Sequence, residues 1–174
     1  MNTVNTIIIR QATIRDAISI RAVLTASQWF TYQSLYSKAY IEKMISQYYN
    51  LERIEQEIVT VNVEWHGYFI AEENGQVIGV IGGGMMDETT GEIYVFYLEP
   101  DLRGKGVGTK LLSFFTKIQK FQYGAKEQWV SVARGNVYGI PFYEARGFLF
   151  QYEAPTYGST LGELDISLKY KRKV

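Results

Sequence analysis

Tyr97-Leu98-Glu99-Pro100-Asp101-Leu102-Arg103-Gly104-Lys105-Gly106-Val107-Gly108-Thr109-Lys110-Leu111-Leu112 reads as a strand, a glycine-rich turn and an amphipathic helix. The helix is carried by Val107, Leu111, Leu112, Phe115 and Ile118, whose three- and four-residue spacing makes one apolar stripe. Its first-turn N–H groups lack intrahelical partners, and its dipole favours negative charge there, so the turn aims donors at one point that suits a phosphate. Gly104, Gly106 and Gly108 alternate, which permits positive φ and leaves no side chain where a pyrophosphate must approach. Arg103, Lys105 and Lys110 add positive charge.

Two phosphate motifs do not fit. A Walker A loop needs two glycines five apart, then Lys, then Ser or Thr, but Thr109 precedes Lys110 and position 103 is Arg. A dinucleotide fingerprint starting at Gly104 and Gly106 needs its third glycine where Thr109 stands. What remains is Arg-x-x-Gly-x-Gly, Arg103 to Gly108. A glycine-rich turn without a ligand is the plainer alternative, although a tight turn needs one glycine rather than three.

A second segment, Asn136-Val137-Tyr138-Gly139-Ile140-Pro141-Phe142-Tyr143-Glu144-Ala145-Arg146-Gly147-Phe148, follows downstream. Together the two segments resemble the motifs of the GCN5-related N-acetyltransferase (GNAT) superfamily. The resemblance runs from about Tyr68 to Phe148 and departs at Gly139, where the family usually has Ala, and at Pro141. It implies a mixed α/β domain, a mostly antiparallel central sheet flanked by helices. It also implies acetyl-CoA as co-substrate, its pyrophosphate on the backbone of Arg103, Gly104, Lys105, Gly106, Val107, Gly108 and Thr109. Phe96 and Tyr97 would lie beside the pantetheine arm, the Leu98 N–H would bond the acetyl oxygen, and Asn136 would contact the arm. Tyr143 would protonate the leaving thiolate. Glu92, eleven residues before Arg103, matches the general base of one branch of the family; many members use a water chain instead. If no bulge intervenes, Glu92, Tyr94, Phe96 and Leu98 share one face of their strand.

Composition sets bounds. A chain of 174 residues with 47% hydrophobic content and zero formal net charge fits one domain, residues 1–174, with a real core, and gives no electrostatic sign of nucleic-acid binding. The absence of cysteine excludes thiolate catalysis and Cys-based metal sites, and one histidine excludes two-His sites, so no metal is expected. The first six residues do not read as a signal peptide and no stretch has the length of a membrane span, so a cytoplasmic location without membrane association is expected. His66, between Trp65 and Gly67, is expected at the surface.

Along the chain, Ile7 to Arg10 predicts a strand, and Thr13 with Asp16 a capping box opening a helix whose apolar face is Ile18, Ile20, Val23 and Leu24. Ser37 caps a second helix and Asn50 ends it; Leu51, Ile54 and Ile58 mark a third. Strands are expected at 68–72, 77–81, 92–98, 128–133, 148–153 and 163–170, with a hairpin turn at Glu73 to Gln76, a bulge or close approach at Gly82 to Gly84, and a short helix near Ile140 to Ala145.

Of the acceptor the sequence says less. Trp29, Phe30, Tyr32, Tyr36 and Tyr40 lie close together, Tyr48 and Tyr49 follow, and the 153–163 loop adds Tyr157. Such a wall, with Asp87, Glu88 and Glu92 nearby, suits a small cationic amine such as a polyamine, by cation–π and charge attraction. A protein N-terminus or lysine as acceptor, another acyl donor, and a CoA-binding sensor without transfer stay open. An exposed edge strand or the C-terminal strand would serve a homodimer.

Overall fold

The computed structural model describes residues 6–102, 104–156 and 165–174. Polar caps set its first boundaries. After β1 (Ile7–Gln11), the Thr13 N–H donates to the Asp16 carboxylate at 2.7 Å, closing a 3₁₀ turn that runs into α1 (Ala17–Tyr32). Ser37 accepts from the Tyr40 N–H to start α2 (Lys38–Tyr48), and Asn50 accepts from the Arg53 N–H to start α3 (Leu51–Val59). Next come β2 (Tyr68–Glu73) and β3 (Gln76–Met85), joined by Asn74-Gly75 at φ of 51° and 77°, the two-residue turn whose twist suits a hairpin. The chain continues through β4 (Thr90–Leu98), α4 (Val107–Lys117), β5 (Glu127–Ala133), α5 (Gly139–Glu144), β6 (Leu149–Pro155) and β7 (Ile166–Lys173). Glu163 and Leu164 of the expected last strand lie outside the described residues.

The seven strands form one sheet in the order β1-β2-β3-β4-β5-β7-β6, antiparallel except for β4 beside β5. Each face carries a core. On one, Val107, Leu111, Leu112 and Phe115 of α4 pack with Phe69, Ile81, Ile93 and Tyr143; on the other, Ile20, Val23 and Leu24 of α1 pack with Ile54, Ile58, Ile70 and Val80. Each such fully buried aliphatic contributes about 1.5–3 kcal/mol of transfer free energy.

Ile18, expected on the apolar face of α1, is 65% exposed, whereas Ile20 is fully buried; the helix turns Ile18 away from the sheet. His66 is the larger correction. It is buried, its ring stacked on Tyr123 with centroids 3.7 Å apart. The cause lies in Gly82 to Gly84. The His66 N–H donates to the Gly83 carbonyl at 2.8 Å, and the Met85 N–H donates to that of Val63 at 2.9 Å, so segment 62–66 lies flat along β3. A Cβ on Gly84 would stand 1.8 Å from the Glu64 carbonyl oxygen, which is why this approach needs glycine.

The third correction is a β-bulge. Gly82 pairs with Val95 but Gly83 pairs with Ile93, so Tyr94 is an extra residue in β4. Ile93, Phe96 and Leu98 therefore pack toward α4, and Val95 and Tyr97 toward α1 and α3. Glu92 lies with Val95 and Tyr97, not with Phe96 and Leu98.

Candidate active site

The turn after β4 has the form its glycines require. Gly104 and Gly106 sit at φ of 82° and 80°, in a region other residues rarely adopt, with open space where a Cβ would be. Gly106 begins α4, and among the described residues no side chain caps that end, so its first N–H groups face outward. A Cβ on Gly108 would meet Phe142 at 3.2 Å and Leu98 at 3.3 Å; here glycine lets α4, α5 and the end of β4 converge. Lys105 is exposed beside the turn, and Thr109 Oγ1 accepts from the Arg146 guanidinium. Arg103 lies outside the described residues.

The sheet opens at this end. β4 pairs with β5 only from Thr90 to Ile93. The Glu99 N–H donates to the Ile78 carbonyl at 2.8 Å, so the Leu98 N–H points to the opposite edge, toward the gap left by β5. Ser27 Oγ donates to the Leu98 carbonyl at 2.6 Å and ties the strand end to α1.

A cavity lies on each side of the gap. The smaller, about 110 Å³, is lined by Phe96, Leu98, Asn136, Phe142 and Tyr143. The larger, about 710 Å³, is lined by aromatic rings and by Glu57, Glu92 and Asp165. They meet at Tyr32, Ile93, Tyr94, Tyr97 and Ser131, which line both. Tyr97, expected beside the donor arm, turns its hydroxyl the other way, into a 2.9 Å bond with the Tyr32 hydroxyl.

Tyr143 is 7% exposed, and burial pushes its phenol well up, so it holds its proton. Burial also pushes the Glu92 carboxyl up; the Lys169 charge and a Ser131 hydrogen bond pull it partly back. Asn136 is buried, and its Oδ1 accepts from the N–H groups of Tyr138 and Gly139 at 3.1 and 2.9 Å, which starts α5. A Cβ on residue 139 would stand 2.9 Å from the Asn136 Nδ2, so Gly139 fits the close approach of this cap. α5 accordingly begins at Gly139, one residue before the expected start.

Of the expected aromatic wall, Tyr32, Tyr36, Tyr40, Tyr48 and Tyr49 line the larger cavity, and Trp29 and Phe30 do not. Tyr32 ends α1 and Tyr40 lies in α2, so no single helix carries the three tyrosines, yet Tyr36 packs 5.3 Å from Tyr32 and 5.0 Å from Tyr40 between ring centroids. Asp87 and Glu88 do not line the cavity; they sit exposed in the turn before β4. Glu57 and Asp165 take their place, together with Gln28, Trp65 and Lys169, and none of these carried a sequence signal. Tyr157 lies outside the described residues.

Comparison with known proteins agrees with this geometry. The model of the acetyltransferase (GNAT) family matches residues 28–148. The chain belongs to the GNAT acetyltransferase family. A spermidine N(1)-acetyltransferase from Thermoplasma acidophilum is 32% identical over 141 residues, covering 80% of this chain and 86% of that protein. The crystal structure of the PaiA N-acetyltransferase from Thermoplasma acidophilum, in complex with coenzyme A, superposes with a TM-score of 0.81 at 30% identity, over 96% of this chain and 99% of that one. A GCN5-related N-acetyltransferase from Rhodopseudomonas palustris shares the fold, with a TM-score of 0.77 at 19% identity and full coverage of both chains. This GNAT enzyme thus has the family's mostly antiparallel open sheet, with the opening between β4 and β5 beside the glycine turn. Among the described residues no helix is long and apolar enough to cross a membrane.

Proposed function

We propose that this GNAT enzyme moves an acetyl group from acetyl-CoA to a primary amine of a small cationic molecule, of the polyamine class, by direct attack. The observation that carries the proposal is the meeting of two cavities through the gap in the sheet, one beside the glycine turn and one walled by tyrosines and carboxylates. The relative named as a spermidine N(1)-acetyltransferase supports the same acceptor class.

The residues fit the donor. The uncapped end of α4 and the positive-φ glycines suit a pyrophosphate, and the gap past Ile93 leaves strand edge for the amide-bearing arm. Acetyl-CoA supplies a thioester whose acetyl carbon accepts the amine. The Leu98 N–H faces the gap and stabilises charge on the acetyl oxygen. Glu92, its carboxyl raised by burial, takes the proton that frees the amine's lone pair. As the C–N bond forms and the C–S bond breaks, Tyr143 gives its proton to the departing sulfur and regains one from the new amide nitrogen through the gap. Asn136 caps the Tyr143 helix and lines the smaller cavity, where it would contact the pantetheine arm.

β6 is an edge strand that exposes Leu149, Phe150 and Tyr152, and it is the edge we assign to a homodimer. Sedimentation as a dimer that Phe150→Lys converts to monomer checks it.

The deciding experiment follows thiol release from acetyl-CoA with polyamines, aminoglycosides, amino acids and short peptides. Turnover confined to polyamines supports the proposal. Turnover of peptides alone moves the acceptor to a protein, and acetyl-CoA binding without turnover favours a sensor or an acceptor outside the panel.

A further inference from the structure

We infer that Asp165 anchors a second, non-reacting ammonium of the acceptor, so that the enzyme selects linear amines carrying two or more positive charges. This rests on the larger cavity being the acceptor site.

Three carboxylates line that cavity, in unequal circumstances. Glu57 has a cation of its own, Arg53 at 2.6 Å. Glu92 has the charge of Lys169 beside it. Asp165 is 5% exposed, and among the described residues no cation pairs with it. Its partners are phenols: Tyr36 donates to Oδ1, and Tyr40 donates to Oδ2 at 2.8 Å. Two donors orient the carboxylate, but neither phenol brings a positive charge to it. In the same wall Gln28 is likewise 5% exposed, and among the described residues its amide nitrogen has no hydrogen-bond partner; as a donor it would face the uncharged parts of the acceptor rather than an ammonium.

The distance to the reacting centre is set by β7. Lys169 pairs with Ser131, which bonds Glu92, so this level of the sheet holds the base. Asp165, just before β7, and Ser167 and Lys169 within it lie at alternate positions and all line the cavity. Asp165 is four residues from Lys169, about 13 Å of strand, a span suited to a chain of methylenes between two ammonium groups. The intervening wall is the row Tyr32, Tyr36, Tyr40. It starts where the two cavities meet and ends at Asp165, offering ring faces to methylenes and to any middle ammonium.

The test compares linear α,ω-diamines and triamines with n-alkylamines of equal length, by thiol release, in wild type, Asp165→Asn and Asp165→Glu. In wild type the polycations should have a KM about tenfold or more below their singly charged counterparts, as expected for a buried charge pair. Asp165→Asn, which keeps an oxygen for the tyrosines, should erase that preference through the polycation KM with little change in kcat, and Asp165→Glu should restore part of it. A merely structural Asp165 would instead affect both amine classes alike. Wild type that acetylates both classes equally well overturns the inference and leaves the acetyltransferase reading standing, even if neither variant folds. A preference retained in Asp165→Asn overturns it as well. Wild type that acetylates no amine at all removes both.

Discussion

On the proposed reading, the donor side of the site is built from backbone and the acceptor side from side chains. Around the glycine turn the working groups are N–H donors at the uncapped end of α4, and the side chains matter chiefly by being absent, as at Gly104 and Gly106. In the larger cavity the working groups are phenols, carboxylates and an amide drawn from α1, α2, α3, β4 and β7. A backbone site tolerates one ligand geometry and is shared by a whole family. A side-chain site can be rebuilt residue by residue, and on this reading the choice of amine is made there.

The largest expected effect tests the seam between the two sides. Tyr143→Phe should lower kcat about 10²-fold, the usual worth of a positioned acid, with the KM for acetyl-CoA within a few-fold of wild type; steady-state thiol release reads both. An equal loss in binding and turnover would make Tyr143 a packing residue. Glu92→Gln should cost roughly tenfold or more at neutral pH and remove a limb of the pH profile. Because a base works deprotonated and burial raises this carboxyl above its ordinary 4.5, wild-type kcat/KM should fall as pH drops through that raised value, and the variant should not show this fall. An unchanged profile retires Glu92 in favour of a water chain.

Gly106→Val addresses the donor side alone. A side chain forced to a φ of 80° costs about 1–2 kcal/mol, so the acetyl-CoA KM should rise about tenfold while the preference among amines stays as it was. A changed amine preference would break the division of labour.

The smallest effect is on stability. His66 is buried and its imidazole pKa is pushed below the ordinary 6.5 by burial. Below pH 6.5 the unfolded chain takes up a proton that the folded one resists, so stability present at neutral pH is lost progressively on acidification. Urea unfolding at pH 7.5 and 5.0 should show a smaller loss in His66→Phe than in wild type. Since segment 62–66 also carries Trp65 into the acceptor cavity, amine binding should weaken with acid sooner than acetyl-CoA binding.

The same division explains what the sequence discloses. Backbone devices have local signatures: Asn74-Gly75, the caps at Ser37 and Asn50, the glycines of the turn, and Gly147 at φ 84° ahead of the buried Phe148. Asp165 has none, because its meaning lies in Tyr36 and Tyr40, more than a hundred positions away. His66 is misread because its burial is decided by glycines across β3, and Asp87 and Glu88 because nearness in sequence to Glu92 is undone by one turn. The face of Glu92 escapes for the smallest reason of all, the single unpaired residue Tyr94.

That extra residue sorts the chemistry. In an even strand Glu92 would share a side with Phe96 and hence with Tyr143, leaving the proposed base and the proposed acid in one chamber. By putting the strand out of step once, Tyr94 sets Glu92 and Phe96 on opposite sides, so the two groups proposed as base and acid line different cavities, which meet where the sheet parts. On the proposed mechanism, amine and thiol would then approach and depart on opposite sides of the same strand.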